Sequence, residues 1–113
     1  MSEQGWIGVD LDGTLAEYHG WQGPDHIGPP IDLMVKRVKR WLADGEDVRI
    51  FTARVADDPD GAARVAIQQW CEQFIGTVLP VTNVKDYGMI ELWDDRVVAV
   101  SRNEGRILGR NLI

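Results

Sequence analysis

Cysteine is almost missing from this chain: Cys71 stands alone among 113 residues, which excludes an intramolecular disulfide. No apolar run approaches the length of a membrane span. Met1-Ser2-Glu3-Gln4 has neither the charged nor the apolar region of a secretory signal, so a cytoplasmic protein with no membrane partner is expected. Basic residues are in deficit, 12 Lys and Arg against 18 Asp and Glu, and the net charge of -6 opposes non-specific binding to nucleic acid or anionic lipid. The local exception, Lys36, Arg37, Lys39 and Arg40, interleaves with Val35, Val38 and Trp41 at helical spacing and reads as a solvated helix face. Internal repeats and low-complexity tracts are also missing. The length leaves no room for a second module, so residues 1–113 are expected to form one domain.

What is there is a chain with 44% hydrophobic residues, enough for a core, arranged in short runs with polar ends. The most informative stretch is Trp6-Ile7-Gly8-Val9-Asp10-Leu11-Asp12-Gly13-Thr14-Leu15. An apolar run that stops at two aspartates reads as a buried strand delivering carboxylates to the crevice at its carboxyl end. In extended chain, residues two apart point the same way, so Asp10 and Asp12 share a pocket while Leu11 turns into the core. One carboxylate is then placed to attack and the other to handle a proton. A hairpin turn at Asp12-Gly13 is the competing reading. It leaves Asp10 unexplained, and residues up to Pro30 offer no alternating partner strand.

The rest of the chain alternates between strand and helix signals. Ala16 to Pro30 is an irregular loop carrying Tyr18, His19, Trp21 and His26. Ile31 to Asp44 predicts a helix with Met34, Val35, Val38, Trp41 and Leu42 inward, and Val48 to Thr52 a second strand. Asp58-Pro59 suggests an N-cap and first helical position for a helix reaching about Ile75. That helix would bury Cys71 as a small core residue rather than present a nucleophile. Val78–Thr82, Met89–Trp93 and Val97–Val100 read as three further strands, and the tail 101–113 as irregular. Two strand-helix-strand units predict an α/β fold, a three-layer, mainly parallel sheet with right-handed crossovers.

Three of those strands end in polar residues that a core strand does not need: Asp10, Thr52 and the pair Asp94-Asp95. In a parallel sheet all three ends lie on one edge and converge. Lys85, just before the fourth strand, is within reach of the same edge. Each has an ordinary alternative: Thr52 as a strand cap, Lys85 as a surface lysine, Asp94-Asp95-Arg96 as a turn with a local ion pair.

Asp10-Leu11-Asp12-Gly13-Thr14-Leu15 resembles the first signature motif of the haloacid dehalogenase superfamily, most of whose members are phosphatases. Thr52 resembles the hydroxyl residue of its second motif, Lys85 the basic residue of the third, and Asp94-Asp95 the acidic pair of the fourth. The similarity runs from about Gly5 to Val100. Its first motif is the most specific. The resemblance implies a Rossmann-like fold and two-step phosphoryl transfer: Asp10 becomes an aspartyl-phosphate while Asp12 protonates the leaving oxygen and then activates water. Thr52, Lys85 and Arg54 would hold the phosphoryl oxygens, with Asp95 supporting Lys85.

Four carboxylates gathered around a phosphate dianion would repel it, and a divalent cation removes the conflict. Oxygen-only ligation favours Mg²⁺. By resemblance its ligands are the carboxylates of Asp10 and Asp94 and the backbone carbonyl of Asp12. Superfamily members often carry a cap domain, but only 18 residues separate Asp12 from Ile31 and Lys85 follows closely on the third strand. A minimal capless phosphatase domain is therefore expected, with residues 16–30, and Tyr18, His19, Trp21 and His26 within them, as the substrate loop.

The partner implied is a phosphorylated small molecule, or an accessible phosphate on a larger one, with a second subunit as another means of closing the site. A phosphotransferase needs the same chemistry. The alternatives are a non-catalytic phosphate-binding or scaffold domain of the same fold, and a nucleic-acid end phosphatase, which the acidic charge disfavours.

Overall fold

The computed structural model describes residues 5–109; Met1–Gln4 and the last four residues of the expected tail lie outside them. Trp6–Val9 forms β1, with all four residues buried, as befits an inner strand of a parallel sheet. Strands β2 (Asp47–Phe51) and β4 (Met89–Trp93) flank it in parallel, and β3 (Val81–Thr82) adds to the far side of β2, giving the order β3-β2-β1-β4.

Register decides which face each side chain takes. Ile7 lies opposite Val48, Val9 opposite Ile50, and Ile50 opposite Val81, so these residues share one face. Helices α1 (Asp32–Ala43) and α2 (Ala62–Phe74) close over that face, adding Met34, Val35, Val38, Ile67, Trp70 and Cys71 to a single apolar cluster. Two right-handed crossovers stepping the same way across a sheet must put both helices on the same side. The four basic residues of α1 are exposed, as their spacing predicts.

After β3 the chain has to return past two strands to reach the far edge, and residues 83–88 do this over the opposite face. There the Asp86 carboxylate accepts the Trp6 indole N–H at 2.9 Å. The Arg49 guanidinium sits 4.6 Å from the Trp6 ring and Phe51 lies 6.5 Å from it, centroid to centroid. The fold is thus the expected Rossmann-like α/β arrangement, with helices forming one outer layer and a loop with large side chains forming the other. No helix among the described residues is long and apolar enough to cross a membrane.

Several expectations need correction. Helix α2 starts at Ala62 rather than at Pro59, because Gly61 adopts φ +77°, outside helical geometry. Asp58 still satisfies the helix start from upstream: its carboxylate accepts the N–H groups of Ala63 at 2.9 Å and Arg64 at 3.0 Å. The third strand is only Val81–Thr82, since Pro80 has no N–H to give a ladder. Ala99–Val100 (β5) does not join the main sheet. It pairs antiparallel with Ile107–Leu108 (β6), so part of the tail expected to be irregular is a small hairpin, turned through Asn103 and Gly105 at positive φ.

Candidate active site

The chain steps one way from β1 to β2 and the other way to β4, and the crevice beyond the carboxyl ends of such strands is where open α/β sheets hold ligands. Asp10 leaves β1 at this point, its N–H donating to Trp93 O at 2.9 Å and so fixing it beside the end of β4. A tight turn follows, in which the N–H groups of Leu15 and Ala16 donate to Leu11 O at 3.0 and 2.9 Å. Leu11, Leu15 and Ala16 are fully buried beneath it. Apolar anchoring of this kind lets the intervening polar residues hold their positions at the sheet edge.

Asp10, Asp94 and Asp95 each place a carboxylate oxygen so that all three lie within 4.8 Å of one another. Thr14 ties the group together. Its hydroxyl accepts the Asp95 N–H at 3.0 Å and lies 3.1 Å from Asp95 Oδ1 and 3.5 Å from Asp10 Oδ2, with one proton to give. Burial, the neighbouring Asp94 charge, a hydrogen bond with Asp95, and the charges of Asp95 and Asp12 together push the Asp10 carboxyl up to about 8. A carboxyl that resists ionisation among other carboxylates belongs to a site short of positive charge. The donor set is all oxygen, so it fits a hard divalent cation such as Mg²⁺. Asp95 accompanies Asp10 and Asp94 in this set, where sequence reasoning gave it a supporting role; the Asp12 side chain is engaged elsewhere.

Gly13 makes this packing feasible. It has φ +87°, and a Cβ there would stand 2.6 Å from Asp95 Oδ2. Gly13→Ala is expected to cost about 1–3 kcal/mol through backbone strain and to displace Asp95, lowering both the melting temperature and Mg²⁺ affinity. Unchanged Mg²⁺ titration by calorimetry would remove Asp95 from the cation site.

Asp12 faces Arg54, which grips it in a two-point pair: Nε to Oδ2 at 2.7 Å and Nη2 to Oδ1 at 2.8 Å. The Arg54 side chain is only 5% exposed. Thr52 sets it up. Buried at the end of β2, its hydroxyl accepts the Arg54 N–H at 3.2 Å and caps a 3₁₀ turn at Ala53–Asp57. The Arg54 guanidinium also lies 5.0 Å from the centre of the Trp21 ring, a cation–π contact.

These residues open on one cleft of about 890 Å³. Asp10, Asp12, Thr52, Arg54 and Asp94 line it, with Arg96, Asn83 and Asp57 on its walls and Tyr18 and Trp21 at the 16–30 loop. That loop has a pinned neck. Glu17 N–H donates to Pro29 O at 2.9 Å, Ile31 N–H to Leu15 O at 2.8 Å, and the Trp70 indole to Gly28 O at 3.0 Å.

Other expected site residues are not brought in. Lys85 is exposed, outside the cleft lining, and forms no ion pair with Asp95 among the described residues. The 83–88 connection leaves the carboxyl edge to cross the sheet, so only Asn83 of it reaches the cleft. His19 and His26 border a separate recess of about 60 Å³, and His19 is spent on Glu17 at 3.2 Å. Sequence reasoning also misses two residues. Thr14 had a signal in its place directly after Asp12-Gly13, and Arg96 had one in following the acidic pair.

No protein-family model and no curated protein matches this chain. Among solved structures it is similar to a conserved protein coded by a locus from Bacteroides thetaiotaomicron, at 22% identity and a TM-score of 0.60, over 81% of this chain and 76% of that one. The likeness is one of fold: a mainly parallel α/β sheet in a single small domain.

Proposed function

We propose that this protein is a Mg²⁺-dependent phosphomonoester hydrolase of the haloacid dehalogenase type, working through an aspartyl-phosphate on Asp10. The observation that carries this reading is the arrangement of Asp10 and Asp12 in one cleft with Arg54, Thr52 and Arg96, beside an acidic cluster fit for a hard cation. Asp10, Asp94 and Asp95 would hold the Mg²⁺, which when bound would supply the positive charge that lets a phosphate dianion approach these carboxylates.

The chain's own groups do the rest. An Asp10 oxygen attacks phosphorus and the ester P–O bond breaks, while Asp12, released by Arg54 and protonated by the substrate monoanion or solvent, gives its proton to the leaving oxygen. Water then loses a proton to Asp12 and attacks the aspartyl-phosphate, releasing inorganic phosphate and restoring Asp10. The Asp12–Arg54 pair has to open for these transfers. Phosphoryl oxygens are natural acceptors for a guanidinium, so substrate arrival provides the exchange: Arg54 turns to the phosphate and Asp12 is freed. Arg96 lines the cleft, as Lys85 does not, and would supply the second cation for the phosphoryl group.

The position of Lys85 is the one feature that favours the second reading, a phosphate-binding domain without turnover. A phosphatase screen over sugar phosphates, nucleotides and phosphorylated oligonucleotides, with and without Mg²⁺, tests the choice. Phosphate release that depends on Mg²⁺ is expected. Binding across the panel without any release would replace the hydrolase with the binding domain.

A further inference from the structure

A phosphate group fills only a small part of a cleft of about 890 Å³, a volume in the range that holds drug-sized ligands. What lines the remainder identifies what is attached to that phosphate. Tyr18 and Trp21 project from the 16–30 loop with 46% and 58% of their surfaces exposed, although both line the cleft. Large aromatic surface left in water at the rim of a polar site is surface suited to a ligand. The loop is held at its neck by three hydrogen bonds. Trp21 is further positioned by Arg54, whose guanidinium joins the ring on one side to Asp12 on the other.

We infer that the substrate is a nucleoside monophosphate, its phosphate at Asp10 and its base against Trp21 and Tyr18. This rests on the hydrolase reading and specifies its substrate class. The groups that share the cleft suit the parts of a mononucleotide: carboxylates with Arg54 and Arg96 for the phosphate, and the exposed Tyr18 and Trp21 rings for a planar base. Asn83 and Asp57 also line the cleft and offer hydrogen-bonding groups for ribose hydroxyls or base edges. The net charge of -6 selects against a polymer, whose additional phosphates would be repelled.

The test compares kcat/KM for AMP, GMP and UMP with that for ribose 5-phosphate and for a 5′-phosphorylated oligonucleotide, together with calorimetric binding of AMP and ribose 5-phosphate to Asp10→Asn protein. Base–aromatic stacking supports a preference for the nucleotides over ribose 5-phosphate of about tenfold or more. Trp21→Ala should bring that ratio close to one, and Trp21→Phe should restore most of it, which separates stacking from any effect on Arg54 common to both substrates. Release from ribose 5-phosphate as fast as from the nucleotides overturns the assignment and leaves the hydrolase reading intact. So does a preference that survives in Trp21→Ala, or an oligonucleotide preferred over AMP. AMP binding that exceeds ribose 5-phosphate binding without any turnover keeps the base site and removes the hydrolase.

Discussion

Asp10→Asn is expected to lower turnover by at least about 10³-fold while leaving the fold intact and the metal-free protein no less stable at neutral pH. The two halves of this result come from one geometry. An amide is nearly isosteric with a carboxylate and keeps the hydrogen-bonding place beside Thr14 and Asp95. It has no anionic oxygen to form an acyl phosphate. It also carries no charge into a cluster where burial and Asp94 already push the native carboxyl up to about 8. Steady-state phosphate release and a thermal melt on the same preparation check both halves. Activity within tenfold of wild type would exclude Asp10 as nucleophile, and a large fall in melting temperature would show that the carboxylate is structural.

Asp12 and Arg54 are untouched by that substitution, which separates the proposed attacking group from the proposed proton-handling one. Their pair has an energetic logic. A nearly buried guanidinium without an acceptor would be costly, and Asp12 satisfies it. The same contact keeps Trp21 in place, so the ring at the rim and the carboxylate at the bottom are two ends of one arginine.

How much of this could be read beforehand depends on how local each feature is. Asp10 and Asp12 were legible because strand geometry alone fixes residues two apart on one side, and a run of buried residues fixes the strand. Convergence with Thr52 and Asp94 followed from one further inference, that the strands are parallel. The fate of Lys85 required the route of the 83–88 connection, which no periodicity encodes. Thr14 reaches Asp95, 81 positions away, by a contact only the folded chain creates. In the 16–30 loop, composition told that aromatic and imidazole groups would be near the cleft. It could not tell that Tyr18 and Trp21 line the cleft while His19 and His26 line only the smaller recess, because an irregular loop has no repeating direction for its side chains. β5 falls within the expected Val97–Val100 strand, but β6 spans two residues, too few for alternation to announce it or the pairing.

Removing the divalent cation is expected to stop turnover completely and to leave the protein with a pH-dependent weakness. In the unfolded chain the Asp10 carboxyl ionises near its ordinary value of 3.8, whereas the fold raises it to about 8. A group raised in this way favours the folded state while protonated. Its contribution is full below about pH 4 and is lost as pH rises towards 8. The metal-free melting temperature should therefore fall between about pH 5 and pH 8, by several degrees for a domain of this size. On the proposed reading Mg²⁺ needs the carboxylates ionised, so its stabilising effect should be small at the acidic end and large at the alkaline end. Ca²⁺ should stabilise as well yet restore little turnover, since its looser coordination does not hold the in-line geometry that phosphoryl transfer needs. Asp94→Ala deletes both a proposed ligand and the largest repelling charge on Asp10, so it should weaken Mg²⁺ binding and flatten part of the metal-free pH profile, the part due to burial remaining. Melts across pH with chelator, Mg²⁺ or Ca²⁺, paired with turnover, provide the measurement. Full activity in excess chelator, or a Mg²⁺ effect on melting that does not change with pH, would mean that the acidic cluster at the end of β1 and β4 is not the cation site.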